Sequence, residues 1–178
     1  MTDTDAASDA GVILGVGIPF GNPYAHEPGD PRYPFVLMTY RLTEHHTAGG
    51  MSRTLSHLAE LQPELFTEVS PELAAERSLE HGGIAIITTP RASIQARVLV
   101  TRRMKPLFVE GRTVHQVGLP YHWGYSGGAK GDIANDLLAI SQEPNVRIME
   151  TKALVCDIAP ASNHPPALTN SRRTAEIL

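Results

Sequence analysis

Apolar positions along this chain fall into short clusters, few of them at helical spacing, and the clusters are confined to its middle. Residues 1–33 are first small and polar, then rich in glycine and proline (GVGIPFGNPYAHEPGDPRYP). Without periodicity they are predicted to form an extended arm or linker, ordered only against a partner. Residues 161–178 have the same character and are predicted to be a tail. The folded body is expected over 34–160.

Within that body, Phe35 to Tyr40 is an apolar and aromatic run suited to a buried strand, and it leads into a polar loop from Arg41 to Arg53. A short helix or turn is expected to end over Leu58 to Gln62, followed by a strand over Leu65 to Val69. Ser70 is an N-cap candidate with Pro71 at the first helical position, so a helix is predicted from Pro71 to about Leu79, stopped by Gly82 and Gly83. Ile84 to Thr89 and Ser93 to Thr101 form a predicted hairpin around Pro90, Arg91 and Ala92. In its second strand Ile94, Ala96, Val98 and Val100 alternate with Gln95, Arg97 and Leu99. Phe108 to Val109 and Thr113 to Val117 are further short strands around a turn at Glu110 to Arg112. A glycine-rich loop is expected over Leu119 to Gly131, a short helix capped by Asp132 through about Ala139, and a closing strand over Lys152 to Ile158. The fold class expected is mainly β with short helices, as a small mixed barrel.

Bulk properties narrow the function. A chain of 178 residues suits one domain with a proper core, since domains of this size bury roughly two thirds of their unfolded surface. A formal charge of −4 does not fit a general nucleic-acid binder, which needs a basic face, so no nucleic-acid partner is expected. The single cysteine, Cys156, excludes an internal disulfide and any cysteine-built zinc or iron–sulfur site made by this chain alone. No run approaches the ~18–20 consecutive apolar residues that span a bilayer, and the acidic start MTDTDAASDA is unlike a basic signal peptide. A soluble chain without direct membrane insertion is expected. A cytoplasmic location is favoured, or a periplasmic one if a partner carries the export signal.

Several apparent motifs fail on physical grounds. Gly15, Gly17 and Gly21 are spaced one residue too far apart for a dinucleotide fingerprint, and Pro19 interrupts them. Lys130 in GGAKGD lacks the following Ser or Thr that holds magnesium in a phosphate-binding loop. His45 and His46 are adjacent, a spacing that points the two rings apart, so no metal site is expected here. Cys156 sits in an apolar strand, where a thiol is an inert small hydrophobe.

Two loops carry more chemistry. The first holds Thr39, Arg41, His45, His46, Thr47, Gly49, Gly50, Met51, Ser52 and Arg53. Arginine grips a pyrophosphate with parallel bonds, hydroxyls add neutral donors, and glycines let backbone amides approach. The second, PYHWGYSGGAKGDIAND from Pro120 to Asp136, sets Tyr121, His122, Trp123 and Tyr125 beside four glycines and an Asn–Asp pair. Its aromatics suit stacking on flat rings, and an asparagine amide suits the edge of a base or pterin. On composition and spacing alone, the first loop is equally open to being an ordinary solvated loop, and the second reads rather as a surface loop pinned by its aromatics.

At these loops the sequence resembles the carboxy-terminal domain of the molybdopterin oxidoreductases, and within them the large subunit of formate dehydrogenases, from about Tyr33 to Pro160. The resemblance rests on the ordered series TYRLTEHHTAGGMSR, SPELAAERSLEHGG, VGLPYHWGYSGG, IANDL and METKALV. It implies a six-stranded double-psi β-barrel and a bis-molybdopterin guanine dinucleotide cofactor carrying molybdenum or tungsten. By the same resemblance Thr39, Arg41, Leu42, His45, His46 and Thr47, with Met51 and Ser52 nearby, fall on positions that contact pyrophosphate and pterin. Tyr121, His122, Trp123 and Asn135 fall on those approaching pterin and nucleotide, and Lys152 on the final cofactor-contacting strand. Nothing matches the family's catalytic cysteine or selenocysteine, so no catalytic residue is expected in this chain. The implied partners are a larger catalytic chain bearing that ligand and an iron–sulfur electron-transfer subunit, with the clusters held only in partner chains.

The sequence departs from the family pattern at Ser78 and Ala92, where glycine is usual, and at Gly83, where an acidic residue is. A chain that begins with methionine at this point is expected to be either a separately encoded subunit or a shortened piece of a longer one. Two other readings stay open: the equivalent domain of another molybdopterin enzyme such as a nitrate reductase, and a stand-alone double-psi-barrel binding module of the kind that recognises substrates for chaperone-like ATPases.

Overall fold

The structure, a computed structural model, describes residues 30–109, 111–138, 146, 148 and 154–161. Six strands close a barrel: β1 (Phe35–Tyr40), β2 (Phe66–Val69), β3 (Ile84–Thr88), β4 (Ser93–Val100), β7 (Gln116–Pro120) and β8 (Leu154–Pro160). Around the barrel they run β1-β7-β2-β4-β3-β8, while β5 (Leu107–Val109) and β6 (Arg112–Val114) form a separate two-stranded sheet. β1 pairs with β7 and β2 with β4 in parallel; the remaining barrel neighbours are antiparallel. The expectation of a six-stranded double-psi barrel is met in strand number, closure and mixed pairing.

Strand alternation fills the interior. β1 buries every second residue, Phe35, Leu37 and Thr39, and β4 turns Ile94, Ala96 and Val98 inward as its sequence pattern requires. Leu37, Val69, Ile87, Val117, Leu119 and Ile158 are wholly buried, and a barrel of six strands has room for little but such side chains. Cys156 is among them, and burial pushes its thiol pKa well up, which keeps it unreactive.

Among the described residues two α-helices lie outside the barrel, α1 (Ser56–Leu61) and α2 (Pro71–Arg77). Ser70 caps α2 as predicted, its Oγ accepting the Leu73 amide at 3.1 Å. The helix does not wait for Gly82 and Gly83 to stop it. Ser78 itself adopts the left-handed conformation (φ 54°, ψ 40°) that glycine usually takes at a helix exit. At the β3–β4 turn Ala92 does without the glycine because Thr89 closes the loop: its amide donates to the Ala92 carbonyl at 2.9 Å, and its hydroxyl accepts the amides of Arg91 and Ala92.

Three boundaries differ from expectation. The predicted strand Thr113 to Val117 is two strands, because its residues leave the β5–β6 hairpin before β7 enters the barrel. Leu119 and Pro120 belong to β7 and are buried, so the second loop begins at Tyr121. Asp132 caps no helix: its carboxylate accepts the Gln95 amide at 2.7 Å and the Tyr125 hydroxyl at 3.1 Å, and only a 3-10 turn follows, over Ala134–Leu137. Lys152 and the predicted helix end at Ala139 lie outside the described residues.

Candidate functional site

The first loop leaves β1 at Tyr40 and the second leaves β7 at Pro120. Because β1 and β7 are parallel neighbours, with Tyr40 opposite Pro120, both loops emerge from the same end of the barrel. Strand pairing alone therefore brings together segments some 80 residues apart in sequence.

Two side chains lock them. His122 is fully buried; its Nε2 accepts the Leu42 amide at 2.7 Å, and its Nδ1–H donates to the Thr47 carbonyl. Those partners fix one neutral tautomer, and burial lowers the pKa of the ring. Thr47 takes a positive φ of 47° to offer that carbonyl. Arg53, also buried, bridges the loops in the other direction, donating to the carbonyls of Gly124, Ser126 and Ala129 in the second loop and of Ala48 in its own. The Gly128 amide returns a bond to the Arg53 carbonyl at 2.7 Å. Glycine is needed where the loops meet: a Cβ on Gly49 would stand 2.0 Å from the His122 carbonyl oxygen, and one on Gly127 would stand 2.9 Å from that of Arg53.

His45 and Ser52 brace the first loop from within. Ser52 Oγ accepts the His46 amide at 3.0 Å and lies 3.2 Å from His45 Nδ1, whose Nε2 is 2.9 Å from the Gln62 carbonyl. The Trp123 ring meets His45 and Phe66 edge-on at 5.4 and 6.1 Å and is itself buried. Among the described residues, the buried indole Nε1 of Trp123 and Nε of Arg53 have no hydrogen-bond partner.

What the bracing leaves outward is a groove of about 490 Å³ along the first loop, running from Arg41 through Thr47 to Met51, Ser52 and the exposed Leu55. Arg41, His46 and Thr47 face it as exposed donors, and Met51, 70% exposed, gives it an apolar wall. The guanidinium of Arg41 is held by Tyr121, whose hydroxyl accepts from its Nε while the ring lies 5.8 Å beneath. Tyr121 in turn stacks on His122 at 5.0 Å. Among the described residues Glu44 is the one carboxylate on the groove wall, which Arg41 also lines.

Of the residues singled out in the sequence, Arg41, Leu42, His45, His46, Thr47, Met51 and Ser52 line this groove. Tyr121 reaches it through Arg41. His122 and Trp123 lie behind it, and Thr39 is buried at the inward-facing end of β1. Asn135 is exposed on the 3-10 turn, off the groove wall. Thr43, Glu44 and Leu58 line the groove and were not singled out. Arg53 was noted as a donor of the loop, but its clamping role was missed; the only hint was the density of small residues around Gly124, Gly127 and Gly128, which invites close approach of another group. Among the described residues no group of three or more His, Cys, Asp or Glu side chains is arranged to hold a metal ion. None of their helices is long and apolar enough to cross a membrane.

Residues 35–155 match the model of the Molydopterin dinucleotide binding domain. The formate dehydrogenase subunit alpha of Megalodesulfovibrio gigas is 41% identical over 133 residues, covering 74% of this chain and 13% of that protein. The nitrate-inducible formate dehydrogenase major subunit of Escherichia coli is 41% identical over 131 residues, covering 73% of this chain and 13% of that protein. The assimilatory nitrate reductase catalytic subunit of Bacillus subtilis is 28% identical over 160 residues, 90% of this chain and 21% of that protein. The chain thus spans 13% of the length of these formate dehydrogenase relatives. Among solved structures, acetylene hydratase from Pelobacter acetylenicus superposes with a TM-score of 0.57 over 78% of this chain and 21% of that one, at 16% identity, a likeness of fold.

Proposed function

Since the chain belongs to the molydopterin dinucleotide binding domain family, we propose that it is the cofactor-holding part of a formate dehydrogenase, gripping one end of a bis-molybdopterin guanine dinucleotide in the groove of the first loop. The observation that carries this reading is that Arg41, His46 and Thr47 line one groove whose shape is fixed from behind by His122 and Arg53. The donor set fits such a group: a guanidinium for a pyrophosphate, hydroxyl and imidazole donors beside it, and the Met51 wall for a flat heterocycle. A groove braced before the ligand arrives loses little ordering entropy on binding.

The bound group supplies a molybdenum or tungsten centre for two-electron transfer between formate and carbon dioxide. This chain's residues bind and orient it. Arg41 pairs with phosphate, Tyr121 aims the guanidinium, and Thr47 is held in place by His122. By the family resemblance Asn135 is assigned to the approach of pterin and nucleotide, and Lys152 to the final cofactor-contacting strand. The metal's cysteine or selenocysteine ligand is assigned to the larger part of the enzyme and the iron–sulfur clusters to partner chains. Formate is favoured over nitrate as the substrate by the 41% identity to formate dehydrogenases against 28% to the nitrate reductase.

The test is to purify the protein from its native source with whatever accompanies it, then to measure metal, pterin and guanine nucleotide together with formate-dependent dye reduction. Retention of full activity after this part is stripped away, or absence of pterin from an intact preparation, overturns the proposal.

A further inference from the structure

Phe108 is the most exposed of the large apolar side chains among the described residues, at 78%, and its neighbours Leu107 and Val109 are exposed as well. Consecutive strand residues point to opposite faces, so β5 shows apolar side chains on both. Its sheet contains only β5 and β6, outside the barrel. A lone two-stranded hairpin is marginal in water, and this one is tied down at its base. Glu68, buried at 2% exposure, accepts from Arg103 Nε at 2.8 Å and from the Tyr40 hydroxyl at 2.6 Å. On the other side, Gln116 Nε2 donates to the Lys105 carbonyl at 2.9 Å. A buried carboxylate is costly unless fully paired, so its use here fixes the segment that leads into the hairpin. Arg102, Lys105 and Arg112 are exposed and flank the apolar residues in sequence, and the stretch 102–112 holds Arg102, Arg103, Lys105 and Arg112 against one acidic residue, Glu110, in a chain whose formal charge is −4.

We propose that the β5–β6 hairpin is a docking element that seats Phe108 in an apolar pocket rimmed by carboxylates on the remainder of the enzyme. This rests on the function proposed above. The chain spans 13% of its formate dehydrogenase relatives, so most of the protein surface such an enzyme contains lies beyond this domain. Exposed apolar residues flanked by charge mark protein contacts, and the excess of basic residues in this segment favours an acidic rim. A second copy of this chain would set the same basic hairpin against itself, which like charge disfavours.

The test uses the protein purified from its host with its companions. Phe108→Glu is expected to weaken its hold on the larger part of the enzyme by about ten- to a hundred-fold, the loss expected from removing one buried aromatic anchor. Arg112→Glu is expected to weaken it less and to make it less sensitive to salt. Because both side chains are exposed, neither substitution should disturb the barrel, read as unchanged far-ultraviolet circular dichroism of the purified variant protein. Benzoylphenylalanine placed at position 108 should crosslink on illumination to a peptide from outside this domain, whether the two parts lie on one polypeptide or two. Undiminished association of F108E, or a crosslink to a second copy or to nothing, overturns the docking proposal. A preparation with no pterin and no larger enzyme part overturns instead the function on which it rests, so the two failures are distinct.

Discussion

Nε2 of His122 accepts the backbone N–H of Leu42 at 2.7 Å, across 80 positions of sequence. With the bond from Nδ1 to Thr47 this makes the imidazole a strut between the two loops. Its polar atoms are all engaged inside the protein, and it shapes the groove from behind.

Replacement of His122 by Phe keeps the ring volume and removes both bonds, taking from the part-buried Leu42 amide and Thr47 carbonyl the partner they have in the parent. A loss of about 2–4 kcal/mol in unfolding free energy is expected, read from urea denaturation. The pH dependence gives a second signature. Burial lowers the folded pKa of this histidine below the ordinary value of 6.5, so as pH falls through 6.5 the unfolded chain takes up a proton that the folded chain refuses. Stability attributable to His122 is therefore complete above about pH 6.5, declines below it, and levels off beneath the depressed folded pKa. The difference in stability between parent and His122→Phe should shrink over that interval; a difference independent of pH would sink this account.

Arg53→Met keeps much of the stem and deletes the guanidinium that binds carbonyls of both loops. About 3 kcal/mol or more of stability should be lost, since several buried acceptors lose a charged donor at once. Lysine should not rescue it, because a single ammonium does not reach the spread of carbonyls a planar fork does. Full stability of Arg53→Lys in thermal melts would show that the fork geometry is immaterial.

Ser78→Gly should raise stability, because the left-handed conformation at the exit of α2 strains a side chain and suits glycine. The gain expected is about 0.5–1 kcal/mol after the greater freedom of glycine in the unfolded chain is set against it. In a domain of this size that is a rise of roughly 1–4 °C in Tm. An unchanged or lower Tm would count against strain at this position.

How much of this was legible in the sequence follows from the range of the interactions. The Ser70–Pro71 start of α2 and the alternation in β4 are local patterns, and the structure keeps them. Asp132 looked like a cap because caps are local, yet its carboxylate is taken by the Gln95 amide, 37 positions away. Pro120 looked like the start of a loop because proline usually ends strands; here it closes β7 beside Tyr40, where β1 supplies a parallel partner no short window reveals. From composition and spacing Arg41 and Arg53 were alike as loop arginines, and only the family resemblance singled out Arg41. What separates them is the second loop, which wraps its carbonyls around Arg53 and offers Arg41 only the hydroxyl and ring of Tyr121.

That separation yields the sharpest test of the groove. Arg41 is exposed and, among the described residues, its side chain is hydrogen-bonded to Tyr121 alone, so Arg41→Ala should leave the fold intact, with Tm within about 1–2 °C of the parent, as expected of a surface change. If the groove grips a phosphate-bearing cofactor, the same change removes a charge-assisted pair worth about 1.5–3 kcal/mol. Pterin and guanine nucleotide should then be lost roughly ten- to a hundred-fold more readily from the purified enzyme. Tyr121→Phe should act in the same direction and more weakly, because it frees the guanidinium without deleting it. Arg53→Met, by contrast, should lower cofactor content and melting temperature together. If Arg41→Ala keeps its full complement of metal and nucleotide, the phosphate is held elsewhere and the groove is a feature of the loop alone.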